Sequence, residues 1–285
     1  MFIVPSAFDL AQLRRELKPF RLHWFPRLRS TNDHAAVLRK RGELFAPAIV
    51  LTGHQLAGRG RGSNTWWSGA GSLTVTLVLP IDEHLAPHHV PLIAGVAVRT
   101  AAAGLVMDDD IQLKWPNDLL HHGKKLAGLL CERVHKADLI GVGLNVNVKL
   151  SDVPPGLRDR VTSLNAIAGK SIDVNSALVA IARQLHRMLS NRDDQSFRTL
   201  LADYDQHHAL LGRRVTVTGS AGEPSIHGKC EGLDQMGRLL LRDRKTLHRV
   251  IAGHTVLSEG VPAAVEGSGR GVDERKSRRK TRIQE

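Results

Sequence analysis

The sequence predicts an α+β protein in two parts, a larger domain of helices and strands followed by a small all-β domain. Its 285 residues are enough for one large and one small core. Up to about residue 211, helical periodicity alternates with short β-prone runs, whereas only β-prone runs follow Gly212. We therefore expect domains at residues 1–209 and 210–262. The glycine, serine and charge of residues 263–285 predict a disordered basic tail.

The first elements are predicted from apolar spacing and capping residues. Apolar residues recur near helical spacing over residues 7–18 and predict a short helix, with a strand at 21–25. The run Ser-Thr-Asn at 30–32 favours N-cap positions, so a second helix should begin there with its free amide groups pointing outward. Residues 47–52 are β-prone and predict the next strand.

The middle of the chain combines alternating strands with one apolar helix. Residues 72–79 alternate threonine with valine and leucine before Pro80, as a strand would. The alanine-rich run at 90–105 is short for a membrane span and contains Arg99, which favours a buried helix. Three further strands are predicted, the last two as a hairpin around residues 135–138: 111–115, 126–134 and 139–148.

Two amphipathic helices are predicted before the chain changes character, at residues 174–189 and 197–211. Glycine or polar turns then separate short strands, a pattern typical of an SH3-like barrel. These strands are predicted at 214–218, 226–233, 238–241, 246–251 and 255–257.

Composition excludes several classes of protein. The formal charge of +12 indicates an anionic partner, but the basic residues are scattered, and no zinc-finger spacing or RNP-like run is present. Two cysteines, Cys131 and Cys230, exclude a disulfide framework and fit a reducing cytoplasm. The N-terminus lacks the apolar core of a secretory signal. The sequence also lacks the motifs of dinucleotide-binding, Walker, zinc-protease and serine-hydrolase sites.

The segment GRGRGSNTWW at residues 58–67 predicts an ordered anion-binding loop. Its glycines permit close backbone approach to a ligand, and Arg59 and Arg61 offer paired donors to phosphate or carboxylate. The alternative is a solvated Arg-Gly segment that contacts RNA, although such segments are usually repeated and terminal.

Two further motifs allow both a site and an ordinary structural explanation. In KWPNDLL, Lys114 ends a strand beside a tryptophan and could place a fixed charge in a cleft, or it could be solvated before a common turn. Gly128, Gly141 and Gly143 lie inside apolar strands, where glycine allows a ligand or another packed element to come close.

Six motifs occur in order: STN at 30–32, Gln55, GRGR with Trp66, KWPND at 114–118, KLAGLLCE at 125–132 and GVGLNVN at 141–147. Together they closely resemble those of the biotin protein ligases, over about residues 20–257. The resemblance implies a mixed-sheet catalytic domain with an SH3-like barrel. It also implies activation of biotin with ATP and Mg²⁺ as biotinyl-5′-AMP, and transfer to a lysine of a biotin carboxyl carrier domain of acetyl-CoA carboxylase or another biotin-dependent carboxylase.

The same resemblance implies roles for individual residues. Catalysis is expected from Lys114, Arg59 and Arg61, with no metal ligand from the protein. Biotin contacts are expected from Ser30, Thr31, Asn32, Gln55, Gly58, Arg59, Lys114 and Gly128. Contacts to ATP or the adenylate are expected from Arg61, Trp66, Asn117, Lys114 and Asn145. The loop is expected to be disordered when empty and ordered over the ligand.

The sequence departs from the family in the loop, where residues 63–65 replace a further glycine and arginine. The catalytic motifs begin near residue 30, so we expect a monofunctional enzyme with no DNA-binding domain, in the cytoplasm and without a membrane partner. A homodimer is compatible with the resemblance. Two alternatives stay open: a lipoate or octanoate ligase or transferase, although its RRxSGGG-like run is absent, and a non-catalytic nucleic-acid-binding protein.

Overall fold

The computed structural model describes residues 8–190, 194–219 and 224–258. Within these ranges the chain forms an α+β protein with six α-helices and fourteen strands. The helices are α1 (Leu10–Glu16), α2 (Thr31–Lys40), α3 (Val90–Val106), α4 (Leu164–Ala168), α5 (Val174–Ser190) and α6 (Asp194–Gln206). The strands are β1 (Arg21–Phe25), β2 (Ala48–Thr52), β3 (Gly58–Arg59), β4 (Thr65–Trp66), β5 (Ser72–Pro80), β6 (Ile111–Lys114), β7 (Asp118–His121), β8 (Lys124–Val134), β9 (Ala137–Asn145), β10 (Arg214–Thr218), β11 (Ile226–Leu233), β12 (Leu239–Asp243), β13 (Thr246–Val250) and β14 (His254–Leu257).

Seven strands form a mixed sheet in the order β1-β2-β5-β9-β8-β7-β6. Only β1 and β2 run parallel, and every other neighbouring pair is antiparallel. Every residue of β2 and β9 is buried, so the sheet is covered on both faces. The predicted mixed sheet is confirmed.

Helices cover the two faces of the sheet unequally. The apolar helix α3 packs against α5 and the sheet, and it forms the centre of the large core. By length and composition the helical stretch Pro87–Val106 could cross a membrane, but two thirds of it is buried inside the protein. The short helix α2 covers the other face with a smaller apolar cluster. This packing places the N-terminus of α2 over the central strands.

The C-terminal part is a five-stranded antiparallel sheet in the order β13-β12-β11-β10-β14, which agrees with the predicted SH3-like barrel. It joins the larger domain at several points. The segment 207–209, which leads into the barrel, hydrogen-bonds to the backbone N–H and C=O of Leu113 and covers the edge strand β6. On the far side, His88 and His89 both place Nε2 about 3 Å from the carbonyl of Met236.

Most predicted elements are present, but in the larger domain one helix is shorter than predicted, and the helix α4 and the strands β3, β4 and β7 were not predicted. The predicted helix at 197–211 ends earlier, as α6, because residues 207–209 leave the helix to pair with Leu113. The strand β7 was missed: the turn after Trp115 returns the chain at once into a four-residue strand. The predicted tail at 263–285 lies outside the described residues.

Candidate functional site

A cavity of about 660 Å³ lies over the sheet, between the N-terminus of α2, the hairpin of β3 and β4, and strand β14 of the barrel. Its lining carries six basic side chains and two acidic ones, and this positive balance suits an anionic ligand. Most of the residues predicted for the site line this cavity: Ser30, Thr31, Asn32, Gln55, Arg59, Arg61, Trp66, Lys114, Asn117, Gly128 and Asn145.

The start of α2 forms a polar wall of the cavity. Ser30 caps the helix, accepting a bond from the amide of Asp33, as its N-cap position predicts. Gln55 lies opposite, and its Oε1 accepts from the Thr31 amide at 3.0 Å. All three side chains that face the ligand space here, Ser30, Thr31 and Gln55, are buried. The wall therefore presents short hydroxyl groups and an amide to a ligand.

Asn32, predicted to contact biotin, lines the cavity and also connects α2 to the sheet by hydrogen bonds. Its Oδ1 accepts from Thr76 Oγ1 at 2.6 Å, and its Nδ2 donates to the carbonyl of Leu130 and to Glu132 Oε2. These bonds occupy both amide hydrogens and the amide oxygen of Asn32, so its position is fixed by the protein, and its contact with biotin stays a prediction. Gly141 makes the arrangement possible, because a Cβ there would collide with Asn32 Oδ1.

The glycine-arginine segment forms a small hairpin in which Gly58 pairs with Trp66 and Arg59 with Thr65. Gly58, predicted to contact biotin, is not among the residues that line the cavity. It lies in β3, where a Cβ would clash with the Trp66 backbone and with Gln55 Nε2. Arg61 reaches across to the barrel and donates to the carbonyl of Gly253 at 3.2 Å.

Arg59 lines the cavity, and its guanidinium is held by two carboxylates. Its Nε lies 2.7 Å from Asp33 Oδ1, and its Nη2 lies 2.9 and 2.8 Å from the two carboxylate oxygens of Glu132. Burial alone would lower the pKa of Arg59, but the bonds and charges of Glu132 and Asp33 outweigh it and raise the pKa. The charge of Arg59 is thus neutralised by protein carboxylates, and its contact with biotin stays a prediction.

Trp66 lies flat on a glycine floor. Gly128 and Gly143 are cross-strand neighbours in β8 and β9, and the Trp66 ring packs on both. The ring nitrogen Nε1 is buried and has no hydrogen-bond partner among the described residues. Asn145 lies nearby with Nδ2 bonded to the Thr162 carbonyl and Oδ1 likewise buried and unpaired. A ligand that offers polar atoms here would satisfy both groups.

Two lysines line the cavity near Asp118. Burial lowers the pKa of Lys114 from its usual 10.5, and the charge of Asp118 partly offsets this effect. Lys125, which the sequence analysis did not single out, lies with Nζ 2.7 Å from Asp118 Oδ1 and 5.7 Å from the centre of the Trp66 ring. Asn117 donates to the Leu129 carbonyl and fixes the turn that carries Asp118.

The barrel closes the cavity from above. Thr255 is buried, and its hydroxyl donates to the Trp115 carbonyl at 2.8 Å, which links β14 to the KWPND turn. His254 lines the cavity beside Lys114. Burial lowers the pKa of His254, and the positive charge of Lys114 lowers it further. Sequence reasoning did not assign these residues, because the contact depends on how two separate domains pack.

Comparison with known proteins agrees with this geometry. The model of the biotin/lipoate A/B protein ligase family matches residues 24–148, and that of the biotin protein ligase C-terminal domain matches residues 210–254. The biotin--[acetyl-CoA-carboxylase] ligase of Paracoccus denitrificans is 32% identical over 225 residues, covering 75% of this chain and 92% of that protein. The chain belongs to the biotin protein ligase family.

A solved structure supports the same assignment. The biotin protein ligase of Aquifex aeolicus in complex with biotin and ATP has a TM-score of 0.74 and 27% identity, covering 84% of this chain and 98% of that one. The bifunctional ligase/repressor BirA of Bacillus subtilis is 31% identical over 212 residues, or 71% of this chain. The chain spans 63% of the length of that Bacillus protein.

Proposed function

We propose that this biotin protein ligase family member activates biotin with MgATP and transfers it to a lysine of a biotin carboxyl carrier domain, in acetyl-CoA carboxylase or another biotin-dependent carboxylase. The proposal rests on one observation: neutral polar side chains and positively charged side chains line different parts of the cavity. Ser30, Thr31 and Gln55 form a neutral polar wall suited to the ureido ring of biotin, while Lys114 and Lys125 form a cationic region suited to phosphate.

In the first step, a carboxylate oxygen of biotin attacks the α-phosphorus of ATP. The new bond gives biotinyl-5′-AMP, and the bond to pyrophosphate breaks with its electron pair on the leaving group. Carboxylate and triphosphate repel each other, so the reaction needs fixed cations at their meeting point. Lys114 and Lys125 both line the cavity, and Asp118 forms an ion pair with Lys125. Both lysines are proposed to stabilise the charge on the reacting oxygens.

The nucleotide is proposed to occupy the region of Trp66, Asn117 and Asn145, under Arg61. The buried Trp66 Nε1 and Asn145 Oδ1 offer one donor and one acceptor to a base or ribose. The described residues contain no cluster of three metal-binding side chains, and Asp118 is already paired with Lys125. Magnesium is therefore proposed to enter as part of the MgATP substrate, held mainly by phosphate and water.

In the second step, the amine of the carrier lysine attacks the biotinyl carbonyl, AMP leaves with the electron pair, and the amine proton is released. The mixed anhydride is already reactive, so the protein has to position the lysine and exclude water. A loop closed over the cavity serves the second purpose. We also propose a cytoplasmic location, which the nature of the substrates and the two free cysteines support.

The test is pyrophosphate release by the purified protein from ATP and Mg²⁺, with biotin, lipoate, octanoate or no acid. Release with biotin alone supports the proposal. Release with lipoate or octanoate would assign the protein to the related acyl ligases, which the C-terminal match to biotin protein ligases argues against. No release with any acid, together with salt-sensitive binding of nucleic acid, would replace the proposal with a binding function.

A further inference from the structure

The hairpin over the cavity is held from outside by two carboxylates on different elements. Asp33 lies in the first turn of α2, and Glu132 lies on β8. Between them, the Arg59 guanidinium makes contacts of 2.7 to 2.9 Å through two of its nitrogens. The charge of Arg59 is therefore balanced by protein carboxylates, whereas the neighbouring glycines permit the rest of the segment to change conformation.

A buried chain of hydrogen bonds fixes the Glu132 carboxylate. Thr76, fully buried on β5, donates to Asn32 Oδ1, and Asn32 Nδ2 donates to Glu132 Oε2 at 2.8 Å. Glu132 is thus oriented by the sheet and by the helix that forms the polar wall of the cavity. Glu132, which holds the hairpin through Arg59, and the polar wall of the proposed biotin site are therefore both connected to Asn32 at the start of α2.

We propose that Asp33 and Glu132 are positioning residues that hold the hairpin closed through Arg59 and so set how long the activated ligand is retained. The inference rests on the proposed function and adds to it a role for three side chains around the cavity. Arg61 anchors the same hairpin to the barrel through Gly253, so the two arginines bind different domains. Arg59 instead anchors the hairpin to α2 and β8 within the larger domain.

The expected effect is moderate, because all three side chains are partly exposed to solvent. Exposed ion pairs contribute little singly, so either neutral variant should raise the opening of the hairpin about threefold, and the double variant about tenfold. Salt should increase opening in the native protein, since ion pairs at this exposure are screened. A hairpin held by apolar contacts alone would show neither effect.

Limited trypsin digestion of the full chain tests the proposal without reference to ligase activity. Cleavage after Arg61, identified by mass spectrometry, reports opening in the native protein, in Asp33→Asn, in Glu132→Gln and in the double variant. Glu231→Gln is the matched control, because Glu231 pairs with Arg242 on the barrel surface at similar exposure. We expect faster cleavage in the three variants, an unchanged rate in the control, and an unchanged midpoint of thermal unfolding.

A charge exchange separates positioning from general destabilisation. Arg59→Glu places three carboxylates together and should open the hairpin, whereas adding Asp33→Arg and Glu132→Arg reverses all three charges, puts one anion between two cations and should restore protection. Release of labelled biotinyl-AMP should follow the same order. Unchanged cleavage in the double neutral variant, or failure of the exchange to restore protection, would overturn the proposal. Altered cleavage without adenylate formation in the native protein would overturn the proposed function and leave the anchor intact.

Discussion

Gly143 lies directly beneath the indole ring of Trp66, so closely that a Cβ on Gly143 would stand 2.7 Å from both Cζ2 and Nε1 of the ring. Atoms of real side chains do not approach this closely, so any other residue at 143 would displace the ring. Across the ladder, Gly128 is its partner and supports the opposite edge of the indole. The two glycines thus define the height of the hairpin above the sheet.

We expect Gly143→Ala to lower biotin-dependent pyrophosphate release by about ten- to a hundredfold, because a small displacement of a ligand-covering group strongly affects reaction geometry. Initial rates at saturating ATP measure the effect. Gly104→Ala is the control, since Gly104 is exposed on α3 with open space around its Cα. A full rate in Gly143→Ala would show that the position of Trp66 on the floor is not needed for activation.

The lysines should act on adenylate formation itself. We expect Lys114→Ala and Lys125→Ala each to reduce biotin-dependent ATP–pyrophosphate exchange on the order of a hundredfold or more, because each removes a fixed cation from the cavity. Lys124→Ala is the matched control: Lys124 adjoins Lys125 in sequence but is exposed and does not line the cavity. A lysine variant that retains the full exchange rate would remove that lysine from the proposed catalytic set.

Arg61 should govern retention of the intermediate more than its formation. Arg61→Gly removes the bond to the Gly253 carbonyl and, with it, the contact between hairpin and barrel. We expect adenylation to continue while biotinyl-AMP escapes and labels lysines of an added bystander protein, several-fold above the native enzyme. Streptavidin detection on the bystander measures this labelling, and Arg61→Lys tests whether a smaller cation suffices. Unchanged labelling in Arg61→Gly would exclude the retaining role.

The sequence predicted the site better than it predicted the use of each residue within it. Local patterns identified the strands and the capping run at 30–32, because periodicity and N-cap chemistry depend on near neighbours. The roles of Asn32 and Arg59 depend on Glu132, which lies 100 residues after Asn32 and 73 residues after Arg59 in the sequence. Lys125 was missed for a related reason.

Lys125 shows why such residues escape sequence reasoning. It follows another lysine at the start of a strand, a position where a charged side chain is usually solvated. Only the register of β7 on β8 brings it to Asp118, and only the hairpin brings the Trp66 ring above it. The glycine positions carried a signal of close approach, but the identity of the approaching group required the fold.

The buried bond from Thr76 to Asn32 should contribute to both stability and loop control. Thr76→Val keeps the shape of the side chain but leaves Asn32 Oδ1 without its donor in a fully buried position. We expect the free energy of unfolding to fall by about 1 to 3 kcal/mol, measured by urea denaturation. Thr199→Val is the control, because the Thr199 hydroxyl bonds to a backbone carbonyl on an exposed helix. This substitution should change the free energy of unfolding by less than about 0.5 kcal/mol.

Because Asn32 also orients Glu132, trypsin cleavage after Arg61 should rise in Thr76→Val at temperatures below its unfolding transition. A loss of stability without faster cleavage would mean that Glu132 holds Arg59 without support from the hydrogen bonds of Thr76 and Asn32.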